Sequence, residues 1–195
     1  MKPKSDKKTE ILQAGAQIMH CKGYHGTGVQ QVVAAAGVPK GSFYNYFKSK
    51  EDFVIAAMEF VGRPGIVQFE TALQNQALSP NQRIIAAFEG QIQTFEKEKT
   101  YTKGCFIGNM CQEVADTRPA VAQKAEYMFR AYTAALGRCL RQAQEEGRIS
   151  AVYDPDKLAE FIFNSWEGAV LRMKSSRSAQ PLHAFLDILK EVLRP

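Results

Sequence analysis

The chain has 195 residues, of which 45% are hydrophobic, 10% aromatic and 23% charged, and it carries a formal net charge of +5. This composition is typical of a globular protein and excludes disordered, collagen-like and low-complexity classes. Its apolar runs are far shorter than the roughly 20 residues that a transmembrane helix needs, so we expect a soluble protein with no membrane partner.

The start of the chain, residues 1–8, is basic and is not followed by an apolar segment. We therefore expect no secretory signal and a cytoplasmic location. The four cysteines show no CxxC spacing. A chain of this size forms a core without disulfides, so we expect reduced thiols.

The basic excess is confined to the first 50 residues. That segment holds eight lysines and two acidic residues, whereas the remaining 145 residues hold 17 basic and 18 acidic ones. Clustered cations gain by displacing the counterions condensed on phosphates, so this asymmetry favours contact with nucleic acid or another anionic surface. A solvated basic tail would give the same numbers, and charge alone does not decide between the two.

Helical periodicity runs along the chain and predicts an all-α fold of about nine helices. The first predicted helix covers residues 7–22, and the second covers residues 27–36 with Thr27 as its N-cap. A third covers residues 40–47, and a long fourth helix capped by Ser49 follows, which proline and glycine should interrupt within residues 62–65. Later helices are predicted to begin at prolines, namely Pro80, Pro119, Pro155 and Pro181.

Residues 27–50 read TGVQQVVAAAGVPKGSFYNYFKSK, which places a glycine-containing turn between two short predicted helices. This pattern predicts a helix-turn-helix, whose second helix is small enough to enter the major groove of DNA. Phe43 and Phe47, four residues apart, should anchor that helix and leave its polar residues outside. The residues predicted to reach base edges, or to allow a close approach of the backbone, are Lys40, Gly41, Ser42 and Asn45.

Over residues 7–52 the sequence resembles the TetR family of bacterial regulators. The matching residues are Gly23-Tyr24, Thr27, Val29, Ala36-Gly37-Val38, Lys40-Gly41-Ser42, Tyr44, Phe47 and Ser49-Lys50-Glu51. Gly28 and Pro39 depart from the family pattern, in which serines are common at these places. The resemblance implies phosphate contacts for Thr27, Tyr44, Tyr46 and Lys50, and base recognition by residues 40–45.

The resemblance also implies a DNA-binding domain over residues 1–50 and an effector-binding and dimerisation domain over residues 51–195. It implies a homodimer that binds duplex operator DNA and is released by a small molecule of unknown identity. The last two predicted helices carry broad apolar stripes, which suit both core packing and self-association. The interface residues expected on them are Phe161, Ser165, Ala169, Phe185, Leu189 and Val192.

Methionine and aromatic side chains suit an adaptable apolar pocket, although the same side chains also fill cores. The residues expected to line an effector pocket are Phe88, Ile92, Phe95, Cys105, Met110, Met128, Tyr132 and Trp166.

Cys105 follows Lys103-Gly104 at a predicted helix start, where the helix dipole and the free backbone donors favour a thiolate. The Gly-Cys pair, the later Glu-Val pair and the segment from Trp166 to Ala169 resemble the N-ethylmaleimide repressor (NemR-like) branch of the family. That resemblance implies a cysteine that senses electrophiles or oxidants. Lys174 is a candidate for a neighbouring amine. The alternative is that Cys105 fills space in the core, as the other three cysteines are expected to do.

Two other classes of protein fit the sequence less well than a DNA-binding regulator. A cysteine enzyme needs a base beside its nucleophile, and the three histidines show no such placement and no metal-ligand spacing. We therefore expect no enzyme activity, no metal and no cofactor. A helical interaction module would explain the amphipathic helices but not the N-terminal lysines. The sequence thus predicts a TetR-type regulator, with repression as the usual mode of that family.

Overall fold

The computed structural model describes residues 7–194, which form nine α-helices and no strand. The predicted all-α fold is confirmed. Residues 1–6, which hold two of the eight lysines of the basic N-terminal segment, lie outside the described residues. Within the described range, no helix is both long and apolar enough to cross a membrane. The helices are α1 (Lys7–Lys22), α2 (Val29–Ala35), α3 (Lys40–Tyr44), α4 (Lys50–Leu73), α5 (Pro80–Glu98), α6 (Phe106–Val114), α7 (Pro119–Glu145), α8 (Pro155–Ser176) and α9 (Gln180–Val192).

The chain groups into two compact units. The first contains the chain up to Pro64 together with Phe106–Tyr127, and the second contains Gly65–Cys105 and the chain from Met128 onward. The helices α4 and α7 continue from one unit into the other, whereas α6 belongs wholly to the first. The division into domains at residue 50 stays a prediction.

The core of the first unit is built on three phenylalanine rings. Phe43, Phe47 and Phe53 lie with their ring centroids 5.1 to 5.5 Å apart and are fully buried. Gly15 of α1 lies against this cluster, because a Cβ atom there would lie 2.4 Å from Phe53 Cζ and 2.7 Å from Val32 Cγ1. Close contact between α1, α2 and α4 therefore depends on the absence of a side chain at residue 15.

The start of α2 differs from the prediction. Thr27 is not the N-cap; the helix begins at Val29, and the residue before it is Gly28, whose N–H donates to Gln31 Oε1 at 3.2 Å. The Thr27 side chain is buried, and its hydroxyl donates to the carbonyl of Gly23 at 2.7 Å. Its hydrogen bond therefore closes the turn before α2 instead of capping the helix.

The fourth helix begins as predicted but is not interrupted. Ser49 Oγ accepts the N–H of Asp52 at 3.0 Å, and Asp52 Oδ2 accepts the N–H of Lys48 at 2.9 Å. The helix then continues through Pro64 to Leu73. Proline removes one backbone donor, but buried residues at helical spacing occur on both sides of it, from Phe53 to Met58 and from Ile66 to Leu73. Burial of this continuous face outweighs the local cost of the proline.

The helices of the second unit begin close to the predicted prolines. Asp154 Oδ1 accepts the N–H groups of Asp156 and Lys157 at 3.0 and 2.9 Å ahead of α8, and Ser79 precedes α5. The helix α9 begins one residue before its proline. It packs against both α5 and α8.

Candidate DNA-binding site and effector core

The predicted base-reading residues share the outer surface of α3. Phe43 faces the core, and this leaves Lys40, Gly41, Tyr44 and Asn45 exposed, with Tyr44 53% accessible. Tyr46, in the turn after α3, is also exposed, whereas Ser42 is half-buried. The helix is only five residues long. The structure thus brings a lysine, a tyrosine and an asparagine together on one short exposed helix.

Lys50 is placed by an aromatic ring at the start of α4. Its Nζ atom lies 4.2 Å from the ring centroid of Tyr24, in a cation–π contact. Burial lowers the pKa of this ammonium group, while the charge of Glu113 raises it and that of Arg118 lowers it. The lysine is half-buried, so its stem is held while its charge remains close to the surface.

Thr27 is the one predicted phosphate contact whose side chain is buried. Its hydroxyl donates to the Gly23 carbonyl, within the turn between α1 and α2. The Thr27 side chain is therefore not exposed at the protein surface, unlike those of Tyr44 and Tyr46.

The turn between α1 and α2 is held by a carboxylate that sequence reasoning did not single out for a role. Glu113 of α6 accepts the N–H of Tyr24 at 2.7 Å and the N–H of His25 at 2.6 Å. Gly23 has a φ of +75°, and a Cβ atom there would lie 2.4 Å from Glu113 Oε2. The two segments are 88 and 89 residues apart in the chain, so no local sequence pattern reveals the contact.

The residues predicted to line an effector pocket are mostly packed against one another. Phe88 lies with its ring centroid 5.1 Å from that of Trp166, and Phe95 lies 6.5 Å from the same indole. Tyr132 stacks on Phe163 at 4.9 Å. Ile92 and Met128 are fully buried. Met110 is also buried, but it belongs to the first unit, whereas the other seven belong to the second.

Cys105 is half-buried and directly precedes α6. Gly104 before it has a φ of +69°, so a glycine ends the loop as predicted. The thiol donates a hydrogen bond to the carboxylate of Glu167, on α8. Burial raises the pKa of that carboxyl to about 7, and the hydrogen bond from the thiol opposes this increase.

Tyr132 belongs to the same cluster. Burial raises the pKa of its hydroxyl, and the charges of Cys105 and Glu167 raise it further. Cys105, Tyr132 and Glu167 therefore form a group of three titratable side chains within the second unit. Glu167 was not predicted, although it lies beside Trp166. Lys174 is exposed on α8, and its role as a neighbour of Cys105 stays a prediction.

The other cysteines differ in their surroundings. Cys139 is buried, its Sγ lies 3.4 Å from the carbonyl oxygen of Pro80, and burial raises the pKa of its thiol to about 11. Cys111 is half-buried. The prediction of a core position was wrong for Cys21, which lies exposed near the end of α1 because it faces away from the buried side of that helix.

The predicted interface residues fall into two groups. Phe161 is 62% exposed, whereas Ala169 and Leu189 are buried within their own chain. Ser165, Phe185 and Val192 are half-buried. Two large apolar side chains that were not predicted, Leu171 of α8 and Ile188 of α9, are exposed by 49% and 65%.

No cluster of three or more histidine, cysteine, aspartate or glutamate side chains suited to a metal ion occurs in residues 7–194. The ring of His20 packs edge-on against Phe106, with the ring centroids 5.2 Å apart.

Comparison with known families decides what the helix-turn-helix belongs to. Residues 11–57 match the bacterial regulatory proteins of the tetR family, and residues 80–189 match the tetracyclin repressor-like, C-terminal domain. The chain belongs to the TetR family. It is therefore a DNA-binding transcriptional regulator of the TetR type, and because this family is not enzymatic, the prediction that the protein is not an enzyme is confirmed.

Several relatives in the TetR family match nearly the whole chain. The chain is 34% identical to the HTH-type transcriptional repressor DhaR of Mycobacterium sp. (strain GP1), over 95% of this chain and 91% of that protein. It is 36% identical to the transcriptional regulator AcuR of Cereibacter sphaeroides, over 90% of this chain and 80% of that protein. It is 29% identical to the HTH-type transcriptional repressor NemR of Escherichia coli (strain K12), over 96% of this chain and 94% of that protein.

Solved TetR-family structures agree with these sequence relationships. The reduced form of E. coli NemR superposes with a TM-score of 0.89 at 29% identity, over 98% of this chain and 99% of that one. The regulatory protein TetR from Rhodobacter sphaeroides superposes with a TM-score of 0.84 at 31% identity, over 96% of this chain and 98% of that one. The resemblance to NemR detected in the sequence is thus confirmed.

Proposed function

We propose that this TetR-family regulator is a homodimeric repressor that leaves its operator when an apolar effector enters the second unit or an electrophile modifies Cys105. The observation that carries the covalent part of the proposal is the position of Cys105, which lies between a positive-φ glycine and the start of α6 and donates a hydrogen bond to a carboxylate of raised pKa. Repression is supported by two of the relatives, DhaR and NemR, which are named as repressors.

The exposed surface of α3 is the part that enters the major groove. Lys40 and Asn45 read base edges, Gly41 lets the backbone approach, and Tyr44 and Tyr46 donate to phosphates together with Lys50. Thr27 acts on this surface indirectly, because its hydroxyl is bonded to the Gly23 carbonyl and fixes the turn before α2.

Dimerisation through α8 and α9 is supported by their exposed apolar side chains. Phe161 and Leu171 lie ten residues apart on α8, and Ile188 lies on α9, which packs against α8. Large exposed apolar side chains grouped on two adjoining helices indicate a surface that a second copy covers. A dimer of this kind presents two α3 helices to successive major grooves, about 34 Å apart.

The covalent step is an addition of the thiol to an activated double bond. The proton of the Cys105 thiol passes to the Glu167 carboxylate, and the sulfur then forms a bond to the β-carbon of the acceptor. The electron pair of the double bond takes up a proton at the α-carbon, so Glu167 is regenerated. The raised pKa of Glu167 suits this exchange, because a group with a pKa near the ambient pH both accepts and releases protons.

The helix α6 connects this chemistry with the helix-turn-helix. It begins directly after Cys105, and at its other end Glu113 holds the backbone of the turn before α2. A group added at Cys105 displaces the start of α6, and a rigid helix transmits that displacement to Glu113. Loss of the two hydrogen bonds then favours an arrangement in which α3 no longer fits the groove.

The test uses duplex DNA from beside the gene of the protein and fluorescence anisotropy, with and without N-ethylmaleimide. The reference protein is Cys21→Ser, which removes the exposed cysteine, and the test protein carries Cys105→Ser as well. We expect the reagent to weaken DNA binding of the reference at least tenfold and to leave the double variant unchanged. Equal responses of the two proteins would indicate that Cys105 only fills space and that a non-covalent effector induces the protein.

A further inference from the structure

A small cavity lies in the second unit, where the end of α4, the start of α5 and the C-terminal half of α7 meet. Its volume is about 150 Å³. Its polar lining includes Arg83 and Arg138, and its apolar lining consists of Leu73, Ala135 and Cys139. None of the eight residues predicted for the effector pocket lines it.

Arg83 is a buried cation whose hydrogen-bond acceptors are all neutral. The residue is 4% exposed. Its Nε donates to the Leu78 carbonyl at 2.8 Å, one Nη donates to Gln142 Oε1 at 3.0 Å, and the other donates to Gln76 Oε1 at 2.9 Å. A guanidinium has five N–H donors, so two remain beyond these three bonds.

The charges around the cavity do not balance. Among the described residues, no ion pair includes Arg83. Glu70 Oε1 lies 3.9 Å from Arg138 Nη2, and both side chains are partly exposed. Glu146, which does not line the cavity, is bonded to Arg148 at 2.8 Å and to Gln142 at 2.9 Å, and its charge also interacts with that of Arg83. The cavity itself is lined by two guanidinium groups and one carboxylate, and burial of the Arg83 guanidinium without a carboxylate in direct contact is costly.

The shape of the cavity restricts which anion would fit. Its volume is similar to that of an engineered cavity of about 150 Å³ that binds benzene, so it suits a ligand of only a few heavy atoms. One wall is apolar, and the Cys139 thiol on it stays neutral at ordinary pH because burial raises its pKa to about 11. A charged end opposite a short apolar wall suits a carboxylate with a chain of a few carbons.

We propose that this cavity binds a short-chain organic monocarboxylate, whose carboxylate accepts hydrogen bonds from Arg83 and whose chain packs against Leu73 and Ala135. A planar guanidinium matches a carboxylate in two parallel hydrogen bonds. The site is independent of Cys105 and of DNA binding, so failure of this proposal would not affect the function proposed above, and the reverse is also true.

The test is isothermal titration of the full-length protein with sodium butyrate and with butyramide, its uncharged analogue, at constant ionic strength. We expect saturable binding of butyrate and at least tenfold weaker binding of butyramide. Inorganic phosphate is the third probe. Equal binding of butyrate and butyramide would overturn the proposal, and so would phosphate binding that is as tight as that of butyrate.

Two variants locate the site. Arg83→Met should weaken butyrate binding at least tenfold, but it removes three hydrogen bonds and its folding is to be checked by circular dichroism. Arg138→Gln, at an exposed residue, should weaken binding severalfold without affecting the fold. The matched control is Arg141→Gln, an exposed arginine paired with Asp156 outside the cavity. If neither Arg138→Gln nor Arg141→Gln changed the affinity for butyrate, the assignment of the ligand to this cavity would be contradicted.

Discussion

At the scale of single residues, Glu113 has the clearest role beyond the predicted site. Its carboxylate accepts two backbone N–H groups from the turn that precedes α2, and no side chain at residue 23 would fit beside it. Hydrogen bonds to a charged acceptor are stronger than neutral ones. Glu113 therefore determines the conformation of the turn on which the orientation of α2 depends.

Replacement of this carboxylate tests that role. Glu113→Ala should lower the free energy of unfolding by about 1–3 kcal/mol, because two backbone donors lose their acceptor. It should also weaken operator binding about tenfold, since 1.4 kcal/mol corresponds to a factor of ten. Denaturant unfolding and fluorescence anisotropy measure the two effects. The control is Gln112→Ala, which changes the exposed neighbour on the same helix. Similar losses of stability and operator affinity in both variants would show that the effect is not specific to the Glu113 carboxylate.

Glu167 should make stability depend on pH in an unusual direction for an acidic residue. Its pKa is about 7 in the folded protein and 4.5 in the unfolded chain. The folded state therefore binds more protons between these values, and the contribution is fully present below pH 4.5 and lost as the pH rises through 7. Glu167→Gln should remove a slope of up to about 1.4 kcal/mol per pH unit. Urea unfolding at pH 5, 6 and 8 measures it, and parallel curves for both proteins would refute the shift.

At the scale of helices, those features that local chemistry determines were predictable. Ser49 is found where the sequence placed a cap, because a cap bonds to N–H groups two or three residues away, and α8 begins at the predicted Pro155. The continuity of α4 through Pro64 was not predictable in this way, since it depends on burial against distant segments. The α3 surface was predictable from a short pattern, whereas Glu113 and Glu167 act on residues far away in the chain.

The contact of α1 with α2 and α4 can be tested at its closest point. Gly15→Ala should lower the free energy of unfolding by about 1–3 kcal/mol, because the new methyl group would overlap the Phe53 ring and the Val32 side chain. Gly90→Ala is the matched control, since a Cβ atom there meets nothing within 4 Å. That variant should be as stable as the natural protein or more stable, by up to about 1 kcal/mol. If both variants behaved alike in thermal and denaturant unfolding, the close contact would not matter.

At the scale of the whole molecule, the proposed dimer would cover the exposed apolar side chains of α8 and α9. Phe161→Glu combined with Ile188→Glu should raise the dissociation constant of the dimer at least tenfold, because both charges would be buried against their copies. Analytical ultracentrifugation measures the dimer. Val152→Glu is the control, at a residue that is 86% exposed and lies in the loop before α8. An unchanged dimer in the double variant would place the interface elsewhere.

The two hydrogen bonds to Glu113 also supply a natural reporter of the state of the regulator. The amide hydrogens of Tyr24 and His25 are bonded to the carboxylate, so they should exchange slowly with deuterated solvent while these two hydrogen bonds are intact. Once an inducer breaks these bonds, both amides should exchange rapidly. Deuterium uptake in the peptide that covers residues 23–26 would then reveal induction in solution, without DNA and without any attached label.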